Sequence, residues 1–279
     1  MSSEVNAGIL LAHTKGVLTS ASLMVNGDAV EEAVELARGH PSLDVGLHLV
    51  LIQGRATLPP SQIPRLVDRQ GYFGISPLPV GLRYFFTGGI KEEIEAEIRA
   101  QIERFLSFGL PLSHLNGHLH FHLHPTVFQI LLMLSREYPI RAMRLTRERF
   151  WVNARFAQGH LATRTIHYLL FSLLSRYAKR KLDRAGIRYA ERVYGLLQSG
   201  QMNQKYLIYL LEHLEETTSE IYFHPATGPF DLQKKLMPDY HHGEELSALT
   251  SPEVRDRMSR LGIERTGHLV PSERTMPEK

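Results

Sequence analysis

His114-Leu115-Asn116-Gly117-His118-Leu119-His120-Phe121-His122-Leu123-His124-Pro125 packs five of the chain's 15 histidines into eleven positions. On a strand, period two puts His114, Asn116, His118 and His120 on one side, with Leu115, Leu119 and Phe121 on the other. Pro125 then opens a helix. A polar strand face that runs into a loop just before a helix is what the C-terminal rim of a parallel βα barrel looks like, and that rim is where sites are built. Neutral imidazole is a common ligand for zinc and other first-row metals. A lone histidine is more often a hydrogen-bonded core residue, but five at this spacing point to a metal or catalytic site.

The same alternation extends along the chain in both directions. Helical spacing covers Val5 to His13, and Leu18 to Val25 reads as a strand closed by Asn26-Gly27. Ala29 to Arg38 is helical, and Asp44 to Leu51 is a strand. A long Pro- and Gly-bearing excursion from Gln53 to Gly89 follows. Lys91 to Phe108 is an amphipathic helix with Ile94, Ile98, Ile102, Phe105 and Leu106 as its buried stripe. After the histidine run come a helix from Pro125 to Tyr138, an extended Arg141 to Thr146, and a long helix from Gly159 to Ala185. Arg192 to Leu197 reads as a strand, Asn203 to Leu214 as a helix, Ser219 to His224 as a strand, and Glu244 to Leu261 as a last helix. Strands alternating with helices predict an α/β fold, one barrel-like (β/α) domain over residues 1–279. Such folds normally begin with a strand; this chain begins with a helix, as if the first strand were missing.

Composition narrows the function classes. The chain has 279 residues, 43% of them hydrophobic, and no cysteine, which excludes disulfide scaffolds, thiol nucleophiles and Cys-ligated zinc. No apolar run is long enough to span a membrane. The opening Met1-Ser2-Ser3-Glu4 lacks the basic start and apolar stretch of a signal peptide, so a cytoplasmic protein is expected. Phosphate-binding Gly-rich loops and a Gly-x-Ser-x-Gly elbow are absent. Between Asn153 and Arg192 stand nine basic residues against Asp183 and Glu191, which leaves the remainder net acidic. This stretch, residues 151–192, reads as a basic helical insertion. No nucleic-acid module accompanies the charge, so no nucleic-acid partner is expected.

Two further strand ends carry polar side chains. In Gly46-Leu47-His48-Leu49, His48 shares a face with Gly46, whose missing side chain would leave room for a ligand. In Ser219-Glu220-Ile221-Tyr222-Phe223-His224, Ile221 and Phe223 face helices, while Tyr222 and His224 point the other way. His224 suits general acid or base work, its unperturbed pKa lying near neutrality. Arg144 shares a face with Ala142 and Thr146 and could bind an anion or orient a carboxylate.

Four stretches together carry a resemblance: Gly16 to Gly27, Val45 to Leu49, Asn116 to Pro125, and Tyr222-Phe223-His224-Pro225-Ala226. They resemble the YdjC-like carbohydrate deacetylases over nearly the whole chain, and within them the branch associated with hopanoid biosynthesis. The resemblance implies a barrel-like fold and divalent-metal-dependent removal of acetyl groups from N-acetylated amino sugars. In this branch the substrate would be an N-acetylglucosaminyl hopanoid glycolipid.

By motif, the metal histidines would be His48 and His118. His224 would protonate the departing amine, and Asn116, His120, His122 and Arg144 would contact substrate or support the ligands. Two imidazoles favour zinc, while weak three-ligand sites also admit magnesium. The family's Asn-Ala-Asp-Asp-Phe-Gly motif, which supplies the carboxylate ligand and the base, would fall just before Met1. An N-terminal truncation is the expectation. The alternative is a catalytically impaired sugar- or lipid-binding homologue, and a metal-dependent phosphoesterase is a more distant one. Residues 160–184, basic and amphipathic, could lie on the inner face of a membrane. A homodimer is compatible with all of these readings.

Overall fold

The computed structural model describes residues 1–156, 161–215, 218–229 and 237–268. The chain opens with α1 (Ser3–Thr14), then β1 (Ser20–Leu23), α2 (Val30–Gly39) and β2 (Asp44–Leu49). After the excursion come α3 (Pro77–Phe86), α4 (Ile90–Ser107), β3 (Leu115–Gly117), a 3-10 turn (His118–Leu123) and α5 (Pro125–Leu134). The rest is α6 (Phe150–Phe156), α7 (Leu161–Ala185), β4 (Arg192–Tyr194), α8 (Gln204–Glu212), β5 (Ser219–Ile221), α9 (His242–Thr250) and α10 (Pro252–Arg260). The predicted helix start at Gly159 lies outside the described residues.

Among the described residues the named strands pair only in parallel, and two isolated antiparallel bridges, Arg55 to Tyr72 and Val67 to Phe73, lie within the excursion. β1 pairs with β2 in the register Ser22↔Gly46, and β2 pairs with β3 with His48 opposite Asn116. Single parallel bridges carry the array onward, Leu115 to Met143 and Ala142 to Arg188. Val193 N–H donates to the Arg147 carbonyl at 3.0 Å, which brings in β4, and β4 pairs with β5 in parallel. The result is a single-domain α/β array of parallel strands, the barrel-like class the alternation predicts. β1 and β5 are not paired among the described residues. Near that gap Thr227 N–H donates to the Glu4 carbonyl of α1, and Arg265 reaches the Gly16 carbonyl.

The core follows from period two on the strands meeting helical spacing on their covers. Val45, Leu47, Leu49 and Leu115 are buried with Ile94, Ile98, Ile102 and Phe105 of α4 and with Val127, Phe128 and Leu131 of α5. Leu106, expected in that stripe, is only partly buried. The opposite strand faces are thereby left to point inward, where the polar residues are.

Three expectations are corrected in detail. The histidine run is a strand only as far as Gly117. Leu119 and His120 then adopt left-handed φ values of 47° and 58°, turning the chain into the 3-10 segment. The last helix is two, because Ser251-Pro252 breaks it: proline offers no N–H to continue α9, and Ser251 Oγ caps α10 at Val254 N–H. Arg192 to Leu197 is a strand only to Tyr194, since Gly195 adopts φ 123°.

Candidate functional site

A cleft of about 2850 Å³ runs through the interior, and the C-terminal ends of the parallel strands open into it. β2 brings in His48, β3 brings Asn116, and the turn after β3 brings His118 and His120. The segment Arg141 to Thr146 contributes Arg144, and the chain around β5 contributes Glu220, Tyr222 and His224. Among the described residues, only three other than glycine have positive φ: Gln53, Leu119 and His120. All three line this cleft. Such strain persists where the surroundings over-determine it, and it concentrates at functional sites.

The pair with metal-ligand chemistry is His48 and His118, whose ring centroids lie 5.7 Å apart, edge to face. Asn116 Nδ2 donates to Ser22 Oγ at 2.8 Å, which turns its Oδ1 toward His48 Nδ1 at 2.7 Å. An amide oxygen only accepts, so His48 carries its proton on Nδ1 and its lone pair on Nε2. That orienting bond is the usual support of a metal-binding imidazole. His118 Nε2 lies 3.4 Å from Gln53 Oε1. Burial and the neighbouring His118 hold His48 well below the usual histidine range, and burial lowers His118 to about 4. Both rings are therefore neutral at pH 7, the form that ligates metal. Among the described residues no third His, Cys, Asp or Glu joins them in a metal-sized group. The donors present fit a divalent metal as two of its ligands.

His120 and Arg144 build the opposite wall. His120 bonds Thr146 Oγ1 at 3.0 Å through Nδ1 and the Tyr222 hydroxyl at 3.1 Å through Nε2. Arg144 pairs with Glu220 at 2.6 Å, and its guanidinium lies 4.5 Å from the centre of the Tyr222 ring. Burial works against the Glu220 charge, but Arg144 together with His268 and His122 outweighs it, and the carboxyl stays below its ordinary range. Arg144 thus orients a carboxylate of its own chain.

His224 lines the same cleft, its side chain about a third exposed. Its backbone is gripped from both ends: Glu245 accepts its N–H, and His242 Nδ1 donates to its carbonyl. The fully buried Glu245 also accepts Met202 N–H at 3.2 Å, and its Oε2 lies 3.8 Å from His224 Nδ1. Burial, then His242 and Arg144, push His224 down to about 3. Burial raises Glu245 to about 7.

Two sequence expectations change at this point. His114 is a packing residue: it bonds Ser22 Oγ at 2.9 Å and Ser113 Oγ at 2.8 Å, and stacks on His268 at 4.0 Å. Its ring fills the room left by Gly46, where a Cβ would lie 2.5 Å from His114 Nδ1, so that space is not a ligand pocket. His122 is fully buried, with its Nε2 donating to the Arg144 carbonyl at 2.9 Å, so it supports Arg144 from behind. Sequence reasoning missed Gln53, Ser22, Glu220 and Glu245. Only Glu220 carried a usable signal, since it shares parity with Tyr222 and His224.

The profile of YdjC-like proteins matches residues 1–260. The chain belongs to the YdjC-like family. This YdjC-like chain is 46% identical over 143 residues to a carbohydrate deacetylase of Brevibacillus brevis, covering 50% of this chain and 54% of the relative. It is 29% identical over 266 residues to a carbohydrate deacetylase of Vibrio parahaemolyticus, 93% of this chain and 87% of the relative. A chitooligosaccharide deacetylase of Escherichia fergusonii is 34% identical over 157 residues, covering 53% and 56%. With the Brevibacillus and Escherichia proteins, the match thus spans little more than half of the relative's length. In fold, the chain resembles a crystal structure from Enterococcus faecalis, described as that of a candidate cellobiose-phosphate cleavage protein. The TM-score is 0.73 at 24% identity, with 96% of this chain and 93% of the other covered.

Proposed function

We propose that this YdjC-like protein hydrolyses the acetamide of an N-acetylated amino sugar, and that its substrate is an N-acetylglucosaminyl hopanoid glycolipid. The observation that carries the reading is the His48–His118 pair, oriented through Asn116 at the strand ends. The carbohydrate deacetylase names of several relatives support the reaction class. The exposed apolar side chains of α3 and α7 along the cleft support an amphiphilic substrate.

A divalent metal, zinc or magnesium, would be held by His48 and His118, and would supply an acidified water and polarisation of the acetamide carbonyl. The chain's own groups account for the rest. Asn116 keeps the His48 proton on Nδ1 so that the ring can ligate. His224 would deliver to the leaving nitrogen the proton that the attacking water releases; held at about 3, the ring gives that proton up readily. Glu245 and His242 keep its backbone in place while it does so. Arg144, neutralised by Glu220, presents a flat face over Tyr222 along the wall that the sugar would meet.

The test is acetate release from N-acetylglucosamine oligomers and from the glycolipid, with metal added or chelated. Metal-dependent release that His118→Ala abolishes is the expected result. The incomplete ligand set among the described residues favours a second reading, a sugar-binding homologue. Saturable sugar binding with no acetate release under any metal would establish that reading instead.

A further inference from the structure

α3 and α7 both touch the histidine run, α3 at its end and α7 in its turn. The Phe85 ring lies 4.3 Å from that of His124, and the Phe171 ring lies 5.2 Å from that of His120. These two helices therefore flank the same opening. Each also turns large apolar side chains to solvent beside it. On α3, Phe86 is 82% exposed and Leu82 is 48% exposed. On α7, Ile166, Leu169 and Leu173 are 63%, 55% and 66% exposed. Soluble proteins rarely leave such side chains clustered on neighbouring elements unless something covers them.

The exposed stripe of α7 changes character along its length. Ile166, Leu169 and Leu173 follow one another at helical spacing, and the same line continues as Arg176, Arg180 and Arg184, all exposed. An apolar patch beside the opening, with a row of arginines running on from it, complements a surface that is itself apolar with an anionic margin. We propose that α3 and α7 together form a docking surface for an anionic lipid bilayer, with the side chains of Phe86, Leu169 and Leu173 entering the acyl boundary and the arginines meeting headgroup phosphates. A second copy of the chain fits less well, because a two-fold contact along this stripe would set the arginine row of one copy against the apolar residues of the other. No described helix is long and apolar enough to cross a membrane, so the contact is peripheral. The cleft would then open toward the bilayer, where the sugar headgroup of a lipid-anchored substrate is presented. That last step rests on the proposed deacetylation; the docking itself does not.

The experiment is flotation of the full chain with vesicles of phosphatidylcholine alone and of phosphatidylcholine with phosphatidylglycerol, over a range of salt. Binding is expected to the anionic vesicles only and to weaken with salt. Phe86→Asp and Leu173→Asp should each weaken it by about tenfold, from the lost burial of one large apolar side chain. Arg180→Gln and Arg184→Gln should each cost about fivefold. All four positions are exposed, so circular dichroism and the oligomer deacetylation assay should be unchanged. Absence of flotation with anionic vesicles would overturn the proposal. So would equal binding to neutral vesicles, or a stable dimer in sedimentation that Phe86→Asp dissociates. If flotation follows this pattern but no acetate is released from any sugar, the docking surface stands and the deacetylase reading falls.

Discussion

Asn116 links three strands through one amide, donating to Ser22 from β1 and accepting from His48 on β2 while itself on β3. Its value lies in fixing which nitrogen of His48 carries the proton. Asn116→Ala removes both bonds and frees the imidazole to take the other tautomer. We expect deacetylation to fall by about 10- to 100-fold, with metal affinity falling in parallel, the usual cost of removing a group that orients a ligand. Asn116→Asp keeps an oxygen toward His48 and should recover part of that loss. Equal activity of Asn116→Ala and wild type in a metal titration would contradict the role. Glu245 works in the same way on His224, through backbone rather than ring. Glu245→Leu would strand two buried N–H groups, those of His224 and Met202, at about 2–4 kcal/mol of stability. Glu245→Gln retains an acceptor and should fold. Its expected signature is a lower kcat at unchanged KM, since it displaces a proton carrier and not a sugar contact. A change confined to KM would argue against it.

At the level of elements, α4 shows where sequence reading succeeds and where it stops. Its apolar stripe of Ile94, Ile98, Ile102 and Phe105 was legible from spacing alone, because burial against a sheet enforces that period. Beside that stripe, Glu97 and Gln101 are fully buried, which the spacing of the apolar residues does not reveal. Their partners lie just after β2 and in the excursion that follows, which has no periodicity to read. Gln101 accepts Val50 N–H at 2.9 Å and donates to its carbonyl at 2.7 Å, while Glu97 accepts Thr57 and Leu58 N–H at 2.8 and 3.0 Å. These bonds hold the segment that presents Gln53 to His118. Gln101→Leu would leave both backbone groups of Val50 unpaired inside the protein. A loss of about 2–3 kcal/mol in urea unfolding is expected. A loss below about 0.5 kcal/mol would mean that the loop is held by other contacts. The histidine run was legible for the opposite reason, since unusual composition survives a wrong assignment of local structure. Period two brings His48 on β2 to the cleft, and Tyr222 and His224 line it from the chain that runs on from β5, which ends at Ile221 and not at His224. The period failed after Gly117, because the left-handed turn at Leu119 and His120 depends on contacts with Thr146 and Tyr222 that lie far along the chain.

For the whole molecule, the concentration of imidazoles in one interior makes stability a function of pH with a calculable sign. Burial holds His118, His122 and His124 at about 4 and His224 at about 3, while His48, His114 and His120 lie well below their usual range. In the unfolded chain each would take a proton near pH 6.5. Between about pH 6.5 and 4 the unfolded state therefore binds protons that the fold excludes, and stability falls on acidification. Each excluded proton contributes about 1.4 kcal/mol per pH unit to that slope. Buried carboxyls act in the other direction: Glu148 is raised to about 8 and Glu245 to about 7, chiefly by burial. The fold keeps their protons where the unfolded chain has lost them, so they reduce stability as pH rises from about 4.5 through those values. Below pH 6.5 the histidines outnumber these two groups and set the slope; above it the histidines are neutral in both states and only the carboxyls remain. Thermal unfolding from pH 4 to 9 should thus give a midpoint that climbs steeply to about pH 6.5 and then declines gently to about pH 8. Glu148→Gln should flatten the alkaline limb and leave the acid limb in place. A midpoint still rising between pH 6.5 and 8 would mean that these carboxyls are ionised in the fold, with cations or water reaching them.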